Sequence, residues 1–296
     1  MISQKLIVLV GATASGKSAL AVELAKRFNG EIISADSRQV YRGLDIGTGK
    51  ITRKEMRGVV HHLLDVESPK KIFTAQDFVE QAGEKAEEIS SRGNIPIVCG
   101  GSGFYIDALV GRVPIPNVAP NPELRAKLDT QTLAELFSYL GRLDPRRASA
   151  IDKYNKRRII RSIEIARALG RSPLNHQRHK YDVLWIGLAA VPEQQRARIN
   201  ARLRERLKQG MLAEAKLLHK DGLSYKRMHE LGLEYRSLAR LLQHKINRKE
   251  LEAELQLAIW HFARRQMTYW RRNHEIAWFD QSTQSRIENT VKNWLG

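Results

Sequence analysis

Eight consecutive residues, Gly11-Ala12-Thr13-Ala14-Ser15-Gly16-Lys17-Ser18, have the types and spacing of an oxyanion cradle. Gly11 and Gly16 let the backbone turn its N–H groups toward phosphate oxygens, and Lys17 adds a point charge. Ser18 can offer its hydroxyl to a Mg²⁺ that bridges two phosphates. A helix beginning near Lys17 would add its positive end. Diphosphate binding follows from this motif. The fate of the diphosphate does not, because P-loop folds serve kinases, ATPases and other transferases.

Asp36, in Ser34-Ala35-Asp36-Ser37, is the second candidate for chemistry. A nucleoside triphosphatase is expected to place a Mg²⁺-positioning Asp after the apolar residues of another strand. The run that could serve, residues 95–99, leads instead into Gly100-Gly101-Ser102, with no acid. Asp36 ends a different apolar segment, and the carboxyl ends of adjacent parallel strands share one crevice. The carboxylate is therefore expected near the phosphate loop, as a general base for an incoming nucleophile. The alternative is a turn or helix-cap aspartate. His61 and His62 lack the spacing of a zinc site and read as structural.

Holding these groups requires a strand, a loop and a helix in that order. Residues 5–10 (KLIVLV) form a continuous apolar run, as in a parallel strand buried on both faces. Residues 19–28 follow with apolar positions at helical spacing. Strands are expected at 31–35, 95–99 (with Pro96 at its beginning) and 182–189, and a helix at 75–92 capped by Thr74. Pro114, Pro116, Pro120 and Pro122 mark a linker or domain edge. Helices are expected beyond it at 123–129, 132–140, 145–151 and 157–169, then at 192–209, 211–221, 235–243 and 249–273. The fold class is α/β: a P-loop NTPase-like parallel-sheet core (residues 1–111 and 181–296) with helical C-terminal elements and a mostly helical insertion (112–180).

Composition narrows the partners. A chain of 296 residues, 42% hydrophobic and 28% charged, can bury a sizeable core and is not of disordered type. No stretch approaches the roughly 18 apolar residues of a membrane span, and residues 6–10 run into a glycine turn with no cleavage site, so neither a membrane nor a signal peptide is expected. The single cysteine, Cys99, ends an apolar strand and suits a reducing cytoplasm. Residues 1–110 hold 14 Lys and Arg against 13 Asp and Glu, whereas 111–296 hold 36 against 19. A near-neutral first third joined to a strongly basic remainder suggests a small-molecule site coupled to a polyanion-binding surface; a solvated basic surface is the alternative. Residues 156–180 alone carry eight Lys and Arg, with Arg157, Arg158 and Arg161 among them, against one acid, Glu164. The stretch 264–272 interleaves Arg with Tyr269 and Trp270, either as an RNA surface or as a helix with a packed aromatic face.

Several segments together resemble a known family, the tRNA dimethylallyltransferases (isopentenyl-diphosphate:tRNA transferases). Residues 11–18 are similar to its GPTASGKT, and 34–50 (SADSRQVYRGLDIGTGK) to its SADS-x-QVYRG-x-DIGTAK signature. Residues 61–65 (HHLLD), 100–105 (GGSGFY), 157–161 (RRIIR) and 263–266 (ARRQ) resemble its HHL-[IL]-D, GGTGLY, QRIIR and AKRQ, in the family's order. The chain departs from the family at Asp152-Lys153-Tyr154-Asn155, where His-Pro-Asn-Asp is usual, at Ile259-Trp260, where Thr-Arg is common, and at Ser102, which replaces Thr.

The resemblance implies transfer of a dimethylallyl group from dimethylallyl diphosphate to N6 of an adenosine beside the anticodon of tRNA (position 37). Diphosphate would lie on Gly11, Ala12, Thr13, Ala14, Ser15, Gly16, Lys17 and Ser18, with Mg²⁺ at Ser18 and Arg202 as an added clamp. Asp36 would be the base, and Thr13 the hydroxyl bridging the donor and the Asp36 region. Asp36, Ser37, Arg38 and Gln39 would read the flipped base, with Ser102 and Arg125 also touching tRNA and Arg157, Arg158 and Arg161 holding its phosphates. A cytoplasmic monomer is expected. The residues alone leave open a P-loop kinase that phosphorylates a small alcohol with ATP, an enzyme that prenylates free adenine nucleotides, and a non-catalytic RNA-binding protein that retains the loop.

Overall fold

The apolar run at residues 5–10 becomes an inner strand of a parallel sheet in the computed structural model, which describes residues 4–172, 180–280 and 283–296. The first part of the chain forms β1 (Gln4–Gly11), α1 (Lys17–Arg27), β2 (Gly30–Ala35), α2 (Arg53–Met56), β3 (His61–His62), α3 (Ala75–Ser91), β4 (Ile95–Gly100) and α4 (Gly103–Leu109). Four helices follow: α5 (Pro122–Asp129), α6 (Leu133–Leu143), α7 (Pro145–Ala150) and α8 (Lys156–Leu169). The remainder is β5 (Tyr181–Leu188), α9 (Pro192–Lys208), α10 (Met211–Lys220), α11 (Tyr225–Leu231), α12 (Leu233–Leu242), α13 (Arg248–Trp270), β6 (Ala277–Phe279) and α14 (Gln284–Leu295). Arg178, counted above in the basic run 156–180, lies outside the described residues.

The chain divides into two compact units, Met1–Val110 with His179–Gly296, and Gly111–Arg178. In the first, the strands are ordered β3-β2-β4-β1-β5-β6 and every pairing is parallel. Alternation along β1 sends side chains to both faces of the sheet. Leu6, Val8 and Val10 join Phe78, Ile89, Ile106, Ile259 and Trp270 on one face. Ile7 and Leu9 join Val22 and Leu24 of α1 and Ile287 and Val291 of α14 on the other. Burial on both faces explains why β1 lacks polar alternation. Each large aliphatic side chain so buried contributes about 1.5–3 kcal/mol.

Thr74 caps α3 as expected, in a capping box with Asp77. Pro96 is the second residue of β4. Six elements go unread in the sequence: α2, β3, α4, α11, β6 and α14. β3 and β6 are two and three residues long, too short for a periodicity to register. α4 starts inside Gly-Gly-Ser-Gly, which has the composition of a loop.

One spatial expectation is corrected by the strand order. β2, which leads into Asp36, does not border β1, because β4 lies between them. The crevice therefore has three walls, and the Gly100-Gly101-Ser102 turn after β4 forms the middle one. A Cβ on Gly100 would sit 2.1 Å from the Ala35 carbonyl oxygen, so the approach of β4 to the end of β2 requires glycine.

The second unit has its own small core of Leu128, Leu136, Leu140, Ile159, Ile160 and Ile163. Pro122 occupies the first turn of α5, where its missing N–H costs nothing. Asn155, one of the family departures, caps α8 by accepting from the Arg158 N–H at 3.2 Å.

Candidate active site

The chain leaves β1 at Gly11 with φ 152°, where a Cβ would lie 2.9 Å from both the Leu188 carbonyl and Ser15 Oγ. Ala14 (φ 63°) and Gly16 (φ 87°) hold left-handed backbone, and the Ser15 N–H donates to the Ala12 carbonyl at 3.1 Å. α1 then begins at Lys17 without an acidic residue in its first turn and without a side-chain cap. Its positive end is left for an anion. Lys17 Nζ sits 3.4 Å from the Ala12 carbonyl. Burial holds the Lys17 ammonium below the usual lysine range, and Arg202 lowers it further, while Cys99 and Asp36 act the other way. Lys17, Asp36 and Arg202 thus share one electrostatic neighbourhood. Burial pushes the Cys99 thiol up to about 11, so it stays protonated and inert.

Thr13 is held at every polar backbone and side-chain atom. Its N–H and its hydroxyl donate to Gln266 Oε1 at 2.8 and 3.1 Å. Its carbonyl accepts from Gln195 Nε2 at 2.9 Å. Gln266 Nε2 in turn donates to the Gly101 carbonyl at 3.2 Å, and both glutamines are buried. A Cβ on Gly101 would lie 2.0 Å from Gln266 Nε2, so a side chain there would push the amide aside.

Asp36 shapes its own turn: Oδ1 accepts from the Arg38 and Gln39 N–H groups at 2.8 and 3.3 Å. The Ser37 N–H donates to Ser102 Oγ at 3.0 Å, and the Ser102 N–H donates to the Ala35 carbonyl at 3.2 Å. Ser102 therefore ties the β4 turn to the Asp36 turn through a hydroxyl that threonine would also supply. Asp36, Ser37, Arg38 and Gln39 are all half-buried.

Arg202 projects from α9 into a cleft that Ser18, Val22, Gly49, Ile51 and Arg57 also line. Partial burial and the like charge of Arg206 lower the Arg202 pKa, with Glu55 opposing them, although the residue remains open to solvent overall. The loop beside it is fixed by a carboxylate. Glu214 accepts from the Asp45, Ile46 and Gly47 N–H groups at 3.0, 2.6 and 2.9 Å and from the Tyr235 hydroxyl at 2.6 Å. Arg206 donates to the Gly47 carbonyl at 2.8 Å and pairs with Glu234 at 3.1 Å.

The phosphate loop after β1, the Asp36 turn after β2 and the glycine turn after β4 lie at the carboxyl ends of the sheet, and Asp36 and Arg202 both act electrostatically on Lys17. The chain also matches the family described as IPP transferase over residues 39–273. It belongs to that family. The IPP transferase match begins beyond the phosphate loop, so the two observations are separate. A tRNA dimethylallyltransferase 2 of Treponema denticola is 43% identical over 272 residues, covering 90% of this chain and 91% of that protein. A tRNA dimethylallyltransferase of Anoxybacillus flavithermus is 36% identical and covers 99% and 95%. The solved tRNA isopentenylpyrophosphate transferase of Bacillus halodurans superposes with a TM-score of 0.75 at 33% identity, covering 98% of this chain and 96% of that one. A eukaryotic dimethylallyltransferase structure at 24% identity (TM-score 0.85, covering 98% and 80%) has the same fold.

In this IPP transferase the remaining candidates lie in the second unit, and they divide by partner. Arg125 grips the buried Glu164 with two hydrogen bonds, 3.0 and 2.7 Å. Arg161 also pairs with Glu164, and it donates to the Val118 carbonyl at 2.8 Å. The Asn121 N–H adds a bond to Glu164 at 2.6 Å, and these donors together hold the Glu164 pKa below the usual range despite burial. Arg125 and Arg161 therefore strap residues 118–125 onto α8. Arg157 and Arg158 are exposed in the first turn of α8, where cations oppose the helix dipole and an external anion relieves them.

Two expectations follow. Arg157→Ala with Arg158→Ala should weaken tRNA binding and reduce the slope of log K against log salt by about 1–2, with an unchanged melting temperature. Arg125→Ala should instead lower the stability of the chain by about 1–3 kcal/mol by removing the bidentate partner of a buried carboxylate. Salt-titrated binding and thermal melts of both variants check the division, and equal salt slopes would remove Arg157 and Arg158 from the RNA surface.

Sequence reasoning did not assign roles to Gln195, Gln266 or Glu214. Gln266 lies in the ARRQ motif, and an uncharged polar residue amid arginines was the one available signal. Glu214 offered none, since its carboxylate matters only through backbone it meets far away in sequence.

Proposed function

We infer that this chain transfers a dimethylallyl group from dimethylallyl diphosphate to an adenosine of tRNA and releases diphosphate. The observation that carries the reading is the grouping at the carboxyl ends of the strands. Asp36 after β2 and Arg202 of α9 both act electrostatically on Lys17 of the phosphate cradle, and β4 runs into Gly101-Ser102-Gly103 with no acid. That arrangement suits a diphosphate that leaves more than a phosphoryl group that moves.

The allylic C–O bond breaks, and the negative charge gathering on the diphosphate is met by backbone N–H groups, Lys17 and Arg202. The nitrogen at adenine N6 forms the new C–N bond, and its proton passes to Asp36. An adenine stacked in an anticodon loop cannot reach such a cleft, so the base flips out, with residues 36–39 and Ser102 at its edge. Arg157 and Arg158 supply phosphate contacts, and the modified nucleoside is position 37.

A Mg²⁺ fits the donors present, although among the described residues no group of three or more His, Cys, Asp or Glu could hold an ion. The exposed Ser18 hydroxyl would hold it on the protein side, with diphosphate and water supplying the other oxygens, so the ion would come with its substrate. When bound, it would help neutralise charge on the departing diphosphate. No helix among the described residues is long and apolar enough to cross a membrane. We take the chain to be a cytoplasmic monomer; its buried free thiol, Cys99, suits a reducing compartment.

The test is mass spectrometry of tRNA incubated with the enzyme and dimethylallyl diphosphate, with free AMP and ATP as controls. One added isopentenyl mass on a single adenosine of tRNA is expected. Transfer to AMP in preference to tRNA, or phosphoryl transfer from ATP, would overturn the reading.

A further inference from the structure

We propose that Gln266 is a positioning residue that fixes the Thr13 hydroxyl as a hydrogen-bond acceptor toward the incoming amine. Which atoms carry a proton decides the orientation of the Gln266 amide. The Thr13 backbone N–H can only donate, and it points at one terminal atom of the Gln266 amide, 2.8 Å away. That atom must be the oxygen. The other terminal atom lies 3.2 Å from the Gly101 carbonyl, an acceptor, and must be the NH₂. The two contacts agree, so the amide has one orientation.

The Thr13 hydroxyl lies 3.1 Å from that same Gln266 oxygen. An amide oxygen cannot donate, so the hydroxyl proton is committed to Gln266. What Thr13 Oγ presents to the cleft is lone pairs alone. A diphosphate oxygen has no proton to give it. The amino group of adenine does: it carries two N–H bonds, of which one proton leaves to Asp36 and the other needs an acceptor while nitrogen rehybridises. Thr13 Oγ is that acceptor, and Gln266 keeps it from turning toward the diphosphate.

The lock is rigid. Gln266 is buried, Gln195 holds the Thr13 carbonyl at 2.9 Å, and Gly101 leaves no room for a side chain that could displace the amide. One turn further along α13, Tyr269 donates its hydroxyl to Asp107 Oδ2 at 2.5 Å and lies against Gly103, so the same helix face sets the start of α4. α13 thereby joins the phosphate loop to the turn after β4.

This inference rests on the transfer reading above, deepens its account of Thr13, and can fail separately from it. Turnover is measured for Gln266→Leu, Thr13→Val and the double variant with tRNA and saturating dimethylallyl diphosphate. Each single variant should lower kcat by about tenfold or more while dimethylallyl diphosphate affinity stays within about threefold, and the double variant should be no slower than the slower single. Effects that multiply would overturn the proposal, as would a loss confined to diphosphate affinity. Gln266→Glu, which keeps an acceptor for both Thr13 donors, should recover part of the kcat that Leu loses; equal loss would count against it.

Amide hydrogen exchange across residues 11–16 gives a readout independent of turnover. It should quicken in Gln266→Leu and stay near wild type in Gln266→Glu, and unchanged exchange in the Leu variant would sink the clamp. Wild-type enzyme that fails to prenylate tRNA refutes the transfer reading, whereas active wild type with multiplying variants refutes only this one.

Discussion

Replacing Asp36 by Asn is expected to lower turnover by about two orders of magnitude or more, the scale on which a general base acts. The choice of Asn matters. Asp36 Oδ1 also accepts from the Arg38 and Gln39 N–H groups, so Asp36→Ala would remove a charge and unpin a turn at once. Asn keeps the acceptor oxygen and removes the charge and its basicity while leaving the turn pinned. With the turn intact, tRNA affinity should stay within several-fold, because affinity comes mostly from phosphate contacts elsewhere. Single-turnover rates and filter-binding constants for Asp36→Asn and Asp36→Ala, side by side, separate the two roles. Near-normal turnover in the Asn variant would remove proton abstraction by Asp36 from the mechanism.

Lys17→Met should produce a loss of comparable size by a different route. The Lys17 ammonium is partly desolvated, and burial is the main force lowering its pKa. A bound diphosphate reverses that pressure by placing negative charge beside it. Removing the ammonium should cost about 10²–10³ in kcat, as deletion of a preorganised oxyanion partner does. Affinity for dimethylallyl diphosphate should fall as well, in contrast to the Asp36 variants. Lys17→Arg should rescue little, because a planar guanidinium does not reproduce the compact point charge of an ammonium. Steady-state kinetics with varied dimethylallyl diphosphate check this, and an unchanged KM would place the diphosphate elsewhere.

The sequence disclosed the parts of this molecule whose cause is local. The run at residues 5–10, the cradle that follows it and the Thr74 cap each rest on neighbours in the chain, and each forms within a residue or two of expectation. The long helices read correctly for the same reason. What stayed hidden depends on distant partners. The insertion of β4 between β1 and β2 is a fact of strand order, and it made Gly100 and Gly101 part of the cleft instead of an ordinary turn. Arg125 and Arg161 looked like surface cations beside Arg157 and Arg158. Only the fold reveals that one buried carboxylate, Glu164, engages the first pair and leaves the second free of it. Arg202 was found through resemblance, since nothing local distinguishes it from the other arginines of α9. Gln195, Gln266 and Glu214 escaped because each acts on backbone atoms between 165 and 253 positions away.

That last separation bears on how the protein is made. A ribosome releases the phosphate loop early, yet the amides that hold Thr13 belong to Gln195 and Gln266, and the second apolar face of β1 is closed by α14, whose final carbonyls receive Lys5 Nζ at 2.8 and 2.9 Å. For most of synthesis the cradle exists as sequence without its fastenings, beside an uncovered hydrophobic strand. The nascent chain should therefore bind diphosphate poorly and depend on chaperones until α13 and α14 have emerged. The phosphate loop leaves the ribosome before α13 and α14, yet it becomes functional only after them.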